Sequence, residues 1–276
     1  MDLDEEIIFA VFSFFFILLS TLVLLRALLF SVVEPAFVLA FDRPLYVHAY
    51  LRMQKLDEPL RSQLRRENLF YSRLSPRQQR FFDHRVARFL AVYGFEGRDG
   101  LEVTNSMKTS VAAVHVMLTF GMRTYLPDML KKVILYPDIY YSPFTKSDNK
   151  GEFNPLAGAI VFSWRHFQEG HQIGNDNLHL GIHEFTHLMH LHGERSRHAS
   201  STIFSDTYRE ILEGLAQPGA IERVRSTGYF RDYAFTNPQE FLAVVLEHFF
   251  ETPSEFRQQF PLLYKKVAKM INHRER

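Results

Sequence analysis

The chain has 276 residues, 46% of them hydrophobic, with 32 Lys and Arg set against 31 Asp and Glu. That is enough for one substantial core plus an appended segment, and so even a charge balance excludes a nucleic acid as partner. Cysteine is absent, which removes disulfides, thiolate nucleophiles and Cys-type zinc sites and leaves His, Asp and Glu as metal ligands.

Residues 7–25 are uncharged and apolar, and the apolar character resumes after Arg26 as far as Val33. At about 1.5 Å per residue such a helix crosses a hydrocarbon core of roughly 30 Å. A secretory signal starts with basic residues, whereas this chain opens with Asp2, Asp4, Glu5 and Glu6, so the run reads as a retained anchor, transmembrane over about 7–33. Arg26, Arg43, Arg52, Lys55, Arg61, Arg65 and Arg66 follow, and no Lys or Arg precedes. The positive-inside rule then puts the large domain in the cytoplasm on a single-pass anchor. Glu34-Pro35 is expected to end or kink the helix, with residues 36–41 at the interface. The predicted domains are an anchor over 1–41 and one large domain over 42–276, soluble in character from about Leu45.

Residues 51–82 read as charged and helical, broken at Ser75-Pro76. Ser75 as N-cap and Pro76 at the first position start a helix through Gln78, Phe81, Val86 and Phe89. Residues 94–100 read as a break and 104–122 as a buried helix whose apolar part, from Val111, is too short for a bilayer. His115 within it is expected to be a satisfied core histidine. Two β-rich runs follow, 132–136 and 158–164, separated by Pro137, Pro143, Asn149, Gly151 and Pro155. The second run, just upstream of the histidine-rich segment, serves either as an edge for an extended peptide or as an ordinary core strand. The predicted fold is α+β: a mainly helical domain with a small sheet, preceded by one transmembrane helix.

His183-Glu184-Phe185-Thr186-His187 spells HExxH. Histidines four apart lie one helical turn above each other and reach one metal, and Glu184 can take the proton of a metal-activated water. Six of the 13 histidines fall between 179 and 198. His179 and His183 share the spacing, but Leu180 stands where a base is needed. Leu178, Ile182, Phe185 and Leu188 anchor the segment, yet it is too polar for a membrane span, which argues against an intramembrane protease. His190 is excluded as a third ligand because a straight helix sets it roughly 10 Å from His183 along the axis; it is expected to support the site or lie at the surface. A metzincin would need Gly at 190 and His at 193, the reverse of His190 and Gly193. Gly193 is expected to cap the helix. The third ligand is then a carboxylate on a later helix, opened by Asn237-Pro238. Glu240 can bind the metal or close a capping box. Glu247, one face and seven residues on, lies among apolar residues where a carboxylate needs a partner. Spacing leaves both open.

The chain resembles the Mlc titration factor A family, bacterial zinc peptidases of the gluzincin type, over about residues 74–262. The resemblance is carried by Asn177-Leu178 leading into the HExxH, by the run 233–244 from Tyr233 through Asn237-Pro238-Gln239-Glu240, and by Glu247-His248-Phe249-Phe250-Glu251-Thr252-Pro253. Shorter matches lie at 100–104, 134–137 and 160–164. It implies that Glu240 is the third zinc ligand, that Glu247 supports the ligands from behind and that Tyr233 is an active-site tyrosine; as the family is bacterial, the anchor read from the apolar run is expected in the inner membrane. Two departures are the anchor itself and His190, where the family commonly has aspartate. The expected activity is zinc-dependent hydrolysis of a peptide or protein substrate with Glu184 as general base. The alternative is a membrane-tethered protein that sequesters a cytoplasmic regulatory protein with little proteolysis.

Overall fold

Apolar residues uninterrupted over several turns make the first part of the chain helical. The computed structural model describes residues 3–273, and the chain divides into two units, Met1–Leu45 and Tyr46–Arg276. The first unit holds α1 (Leu3–Leu28), a wide π-turn over Leu29–Val33 and α2 (Glu34–Phe41). Its helical path from Glu6 to Phe41 is long and apolar enough to cross a membrane, and most of its apolar side chains are exposed. Of the two outcomes expected at Glu34-Pro35, an end or a kink, the end is corrected, because helix continues through Glu34–Phe41. The Glu34 N–H bonds back five residues to Leu29 O, and that widened turn accommodates a proline that lacks an N–H for the regular ladder. The helix stops at Asp42, whose φ of 52° is left-handed.

The second unit begins with α3 (Glu58–Glu67), α4 (Leu69–Ser72) and α5 (Pro76–Val92). Ser75 caps α5 as expected, with Gln78 Oε1 accepting from the Ser75 N–H at 3.1 Å. Next come β1 (Gly94–Gly97), α6 (Asn105–Thr119), β2 (Lys132–Tyr136), β3 (Tyr140–Ser142), β4 (Ser147–Asn149), β5 (Gly151–Asn154) and β6 (Ala159–Ser163). The chain closes with α7 (Trp164–Gln172), α8 (Leu180–Arg195), α9 (Ala199–Leu215), α10 (Ala220–Ser226), α11 (Pro238–Glu251), α12 (Pro253–Gln259) and α13 (Pro261–Met270). The class is α+β, mainly helical with a small mixed sheet.

Four strands pair in the order β1-β2-β6-β5, parallel except for the antiparallel β5–β6 pair, and β3–β4 form a separate hairpin. The break expected at 94–100 is therefore a strand at its start. Every residue of β6 is buried, as expected of a strand covered on both faces. It lies inside the sheet and offers no free edge; that edge belongs to β5, hidden from sequence by its Gly and Asn content.

Almost all of α6 is buried. His115 within it is wholly buried, its Nε2 2.7 Å from Tyr125 O and its ring 4.9 Å from that of Phe185. Burial, with Arg85 and His192 adding repulsion, depresses the imidazole to about 4, although the bond to Tyr125 opposes this. A depressed folded-state value means that only the unfolded chain takes up the proton between about 6.5 and 4, so stability falls as pH drops through that window, by about 3 kcal/mol. The gap in urea stability between parent and His115→Gln protein is expected to shrink by about that amount from pH 7 to pH 4. A gap constant with pH contradicts the assignment.

Candidate metal centre

The central helix is α8, which packs against α6, α7, α9, α11 and the strands β5 and β6. Ile182, Phe185 and Leu188 are fully buried on its inner face, and the Phe185 ring lies 5.7 Å from that of Phe162 on β6. With that stripe fixed in the core, the helical period turns His183, Glu184 and His187 toward α11. Leu178, expected to help anchor the segment, instead lies before the helix and is 54% exposed. Gly193 does not cap α8, which continues to Arg195. A Cβ at Gly193 would come 2.9 Å from Ser205 Oγ and 3.1 Å from Phe204 Cδ1, so its role is the close approach of α9.

Asn237 starts α11 as expected: its Oδ1 accepts from the Gln239 and Glu240 N–H groups at 3.0 and 2.9 Å. That cap fixes the first turn and carries Glu240 to the histidines. Glu240 Oε2 is 2.8 Å from His183 Nε2, and Oε1 is 3.6 Å from His187 Nε2. The donor atoms of His183, His187 and Glu240 all lie within 4.8 Å of one another.

Glu247 settles the proton on His183. A carboxylate only accepts, so His183 Nδ1 carries the hydrogen directed at Glu247 Oε1, at 3.0 Å. In the neutral ring, Nε2 then points a lone pair at Glu240 Oε2, a buried oxygen with no hydrogen bond. Two lone pairs at 2.8 Å repel unless a positive charge lies between them. Burial alone would depress His183, but Glu240 and Glu247 outweigh it and raise the imidazole to about 10. His187, buried and beside His183, is pushed down to about 4. The pocket favours positive charge at the point where the three donors converge, and His183, His187 and Glu240 could hold a metal ion there.

Glu184 is buried behind this set. Burial, reinforced by Glu240, Glu152 and Glu247 against the pull of His183, raises its carboxyl to about 7. Tyr233 lies on a 3-10 turn, Asp232–Phe235, ahead of α11. It is half-exposed, with its ring 5.9 Å from that of His183. Partial burial and the charges of Glu240 and Glu184 raise its phenol to about 12, so it remains a donor. His190 packs its ring 4.9 Å from that of Tyr208, with Nε2 3.6 Å from Glu194.

Two contributors escape the sequence reading. Arg231 Nη1 donates to Glu247 Oε2 at 2.5 Å and also to the carbonyl of Asn177, the left-handed residue before α8. It is the partner that the buried Glu247 needed, but nothing in the sequence distinguishes it from other arginines. Gly151 on β5 is the second. A Cβ there would come 2.8 Å from Leu180 Cδ1 and 2.9 Å from Glu184 Cγ. Gly151→Ala is expected to displace the Glu184 side chain while leaving His183, His187 and Glu240 in place. A crystal structure of the variant with Glu184 unmoved would show that the strand does not position this carboxylate.

Comparison with known proteins agrees with this geometry. The model of the family described as glucose-regulated metallo-peptidase M90 matches residues 45–271. An uncharacterized protein of Synechocystis sp. is 26% identical over 226 residues, covering 72% of this chain and 78% of that protein. Proteins called Mlc titration factor A are 24% identical, from Klebsiella pneumoniae over 71% of this chain and 79% of the relative, and from Serratia proteamaculans over 62% and 70%.

Proposed function

Because the chain belongs to the glucose-regulated metallo-peptidase M90 family, we propose that it hydrolyses peptide bonds with zinc held by His183, His187 and Glu240. The carrying observation is the convergence of those three donors beside the buried carboxylate of Glu184. When bound, the divalent ion supplies Lewis acidity, making a water easier to deprotonate and a carbonyl easier to attack. Glu184 accepts the proton of the attacking water and returns it to the leaving amine. The Tyr233 hydroxyl donates a hydrogen bond to the oxygen on which negative charge develops. Glu247, held by Arg231, keeps the His183 proton on Nδ1 and so leaves Nε2 free to act as donor. His190 steadies the helix one turn further on through Tyr208.

The apolar helix would anchor the chain in a bacterial inner membrane, with residues 42–276 in the cytoplasm, as the basic residues after the helix favour. Metal analysis of the purified chain, followed by a peptide-library assay with and without chelator, tests the activity. Bound zinc and cleavage abolished by chelation are expected; cleavage that survives chelation overturns the proposal.

A second reading is favoured by the name of two relatives, Mlc titration factor A: the chain sequesters a cytoplasmic regulator, with little proteolysis. Complementing a deletion strain with the Glu184→Gln protein separates the two. A sequestering protein restores function without its base, and a peptidase does not.

A further inference from the structure

Away from the metal centre, the irregular segment over residues 49–55, α5 and Tyr125 wall an open cleft of about 920 Å³. The segment is tied to α5 by the Gln54 N–H, which His84 Nδ1 accepts at 2.9 Å. Arg52, Lys55 and Arg88 line the cleft, and no carboxylate is among the described residues that do. None of the three forms an ion pair among the described residues. Asp83, the acid nearest on α5, is already engaged, 2.8 Å from the Tyr71 hydroxyl and 2.9 Å from Arg61 Nε. Asp57, the next acid along the segment, lies at the start of α3.

The floor is positive as well. Arg85 is wholly buried, with no carboxylate partner among the described residues. Its guanidinium donates to the Tyr50 hydroxyl at 2.6 Å and to the carbonyls of Thr119 and Met122 at 2.7 and 2.8 Å, and it lies 4.2 Å from the Tyr125 ring centre. Tyr50 and Tyr125 both line the cleft, so a fixed cation lies directly beneath it.

The rim is apolar. Leu51 and Met53, on either side of Arg52, are exposed at 112% and 42%. Large apolar side chains alternating with cations suit a lipid surface, where acyl carbons take the former and phosphates the latter. A free phosphate would satisfy the cations and leave Leu51 in water. The segment begins eight residues beyond Phe41, the last residue of the helix able to cross a membrane.

We propose that this cleft binds the phosphate of an anionic phospholipid headgroup, with Arg52, Lys55 and Arg88 on the phosphate and Leu51 and Met53 entering the acyl region. The assignment rests on the apolar helix lying in a bilayer and is independent of the peptidase reading. Since the chain has no cysteine, Met53→Cys carries a spin label at one position in the full-length protein. That protein is reconstituted in nanodiscs of phosphatidylcholine with or without phosphatidylglycerol.

Co-elution with neutral discs is expected from the helix alone, and failure to co-elute removes the proposal's premise. Phosphatidylglycerol is expected to raise the label's ratio of oxygen to nickel-complex accessibility roughly tenfold. Adding Arg52→Gln, Lys55→Gln and Arg88→Gln should abolish that rise, with circular dichroism unchanged. Removing the same charge elsewhere, by Arg195→Gln, Arg197→Gln and Arg223→Gln, should leave it intact. Equal ratios in both kinds of disc overturn the site. So does an equal loss in the control variant, which would indicate only a general field. Inorganic phosphate that immobilises the label in neutral discs, with no lipid response, overturns the headgroup assignment in favour of a soluble anion.

Discussion

Glu184→Gln protein is expected to keep its metal and to cleave peptide roughly 10²–10⁴-fold more slowly than the parent. The carboxylate lies beside the three converging donors without being one of them, so its amide should leave ion binding intact. What it loses is the capacity to take a proton, a capacity for which the buried pocket tunes it by raising its carboxyl to about 7. Glutamine is nearly isosteric, so packing against Gly151 and Leu180 stays as it is. The measurement is kcat on a cleaved peptide together with metal content on the same sample. Undiminished kcat would remove Glu184 from the chemistry. Loss of metal along with activity would make it a ligand.

Glu247→Ala protein is expected to bind metal roughly 10–100-fold more weakly, and Glu240→Ala protein to lose it altogether. The difference follows from position: Glu240 faces Nε2 of His183, whereas Glu247 faces Nδ1. Removing Glu247 frees the ring to turn and to change tautomer; removing Glu240 deletes a donor. Arg231→Ala tests the same support from behind. Glu247 is 1% exposed, and without the guanidinium His183 is its one remaining partner among the described residues. Unfolding free energy should fall by about 3 kcal/mol, the low end for a broken buried pair because Arg231 itself is 28% exposed. Lysine should rescue incompletely, since its ammonium sits one bond nearer the backbone than the Nη1 that donates to both Glu247 and the Asn177 carbonyl. Metal released by Glu247→Ala and retained by Glu240→Ala would reverse the ligand assignment.

Local signals carried the sequence reading where they were strong. The Asn237-Pro238 cap, the Ser75-Pro76 start and the apolar stripe of α8 each produce the element expected of them. HExxH placed both histidines and Glu184 on one helix, but seven-residue spacing could not choose between Glu240 and Glu247, because both lie on one face of α11. Only the tertiary approach of α8 shows which carboxylate meets Nε2 and which meets Nδ1. Likewise, a buried Glu247 implied a partner without naming it, since Arg231 reaches it from a loop outside either helix. Strands β1 and β5 were hidden for the opposite reason. Their glycines and asparagine read as turns, and they are strands because β2 and β6 supply the hydrogen-bonding edges. Gly193 misled by local chemistry: glycine caps helices often, but here it makes room for Phe204.

The central claim is that two imidazoles and the Glu240 carboxylate bind one divalent ion. X-ray absorption at the zinc edge of the metal-loaded chain tests it most directly. The expected spectrum fits nitrogen and oxygen at about 2.0–2.1 Å with two imidazole shells, and in Glu240→Ala protein the zinc signal is lost. A spectrum with fewer than two imidazoles, or one identical in the parent and the Glu240→Ala protein, contradicts it.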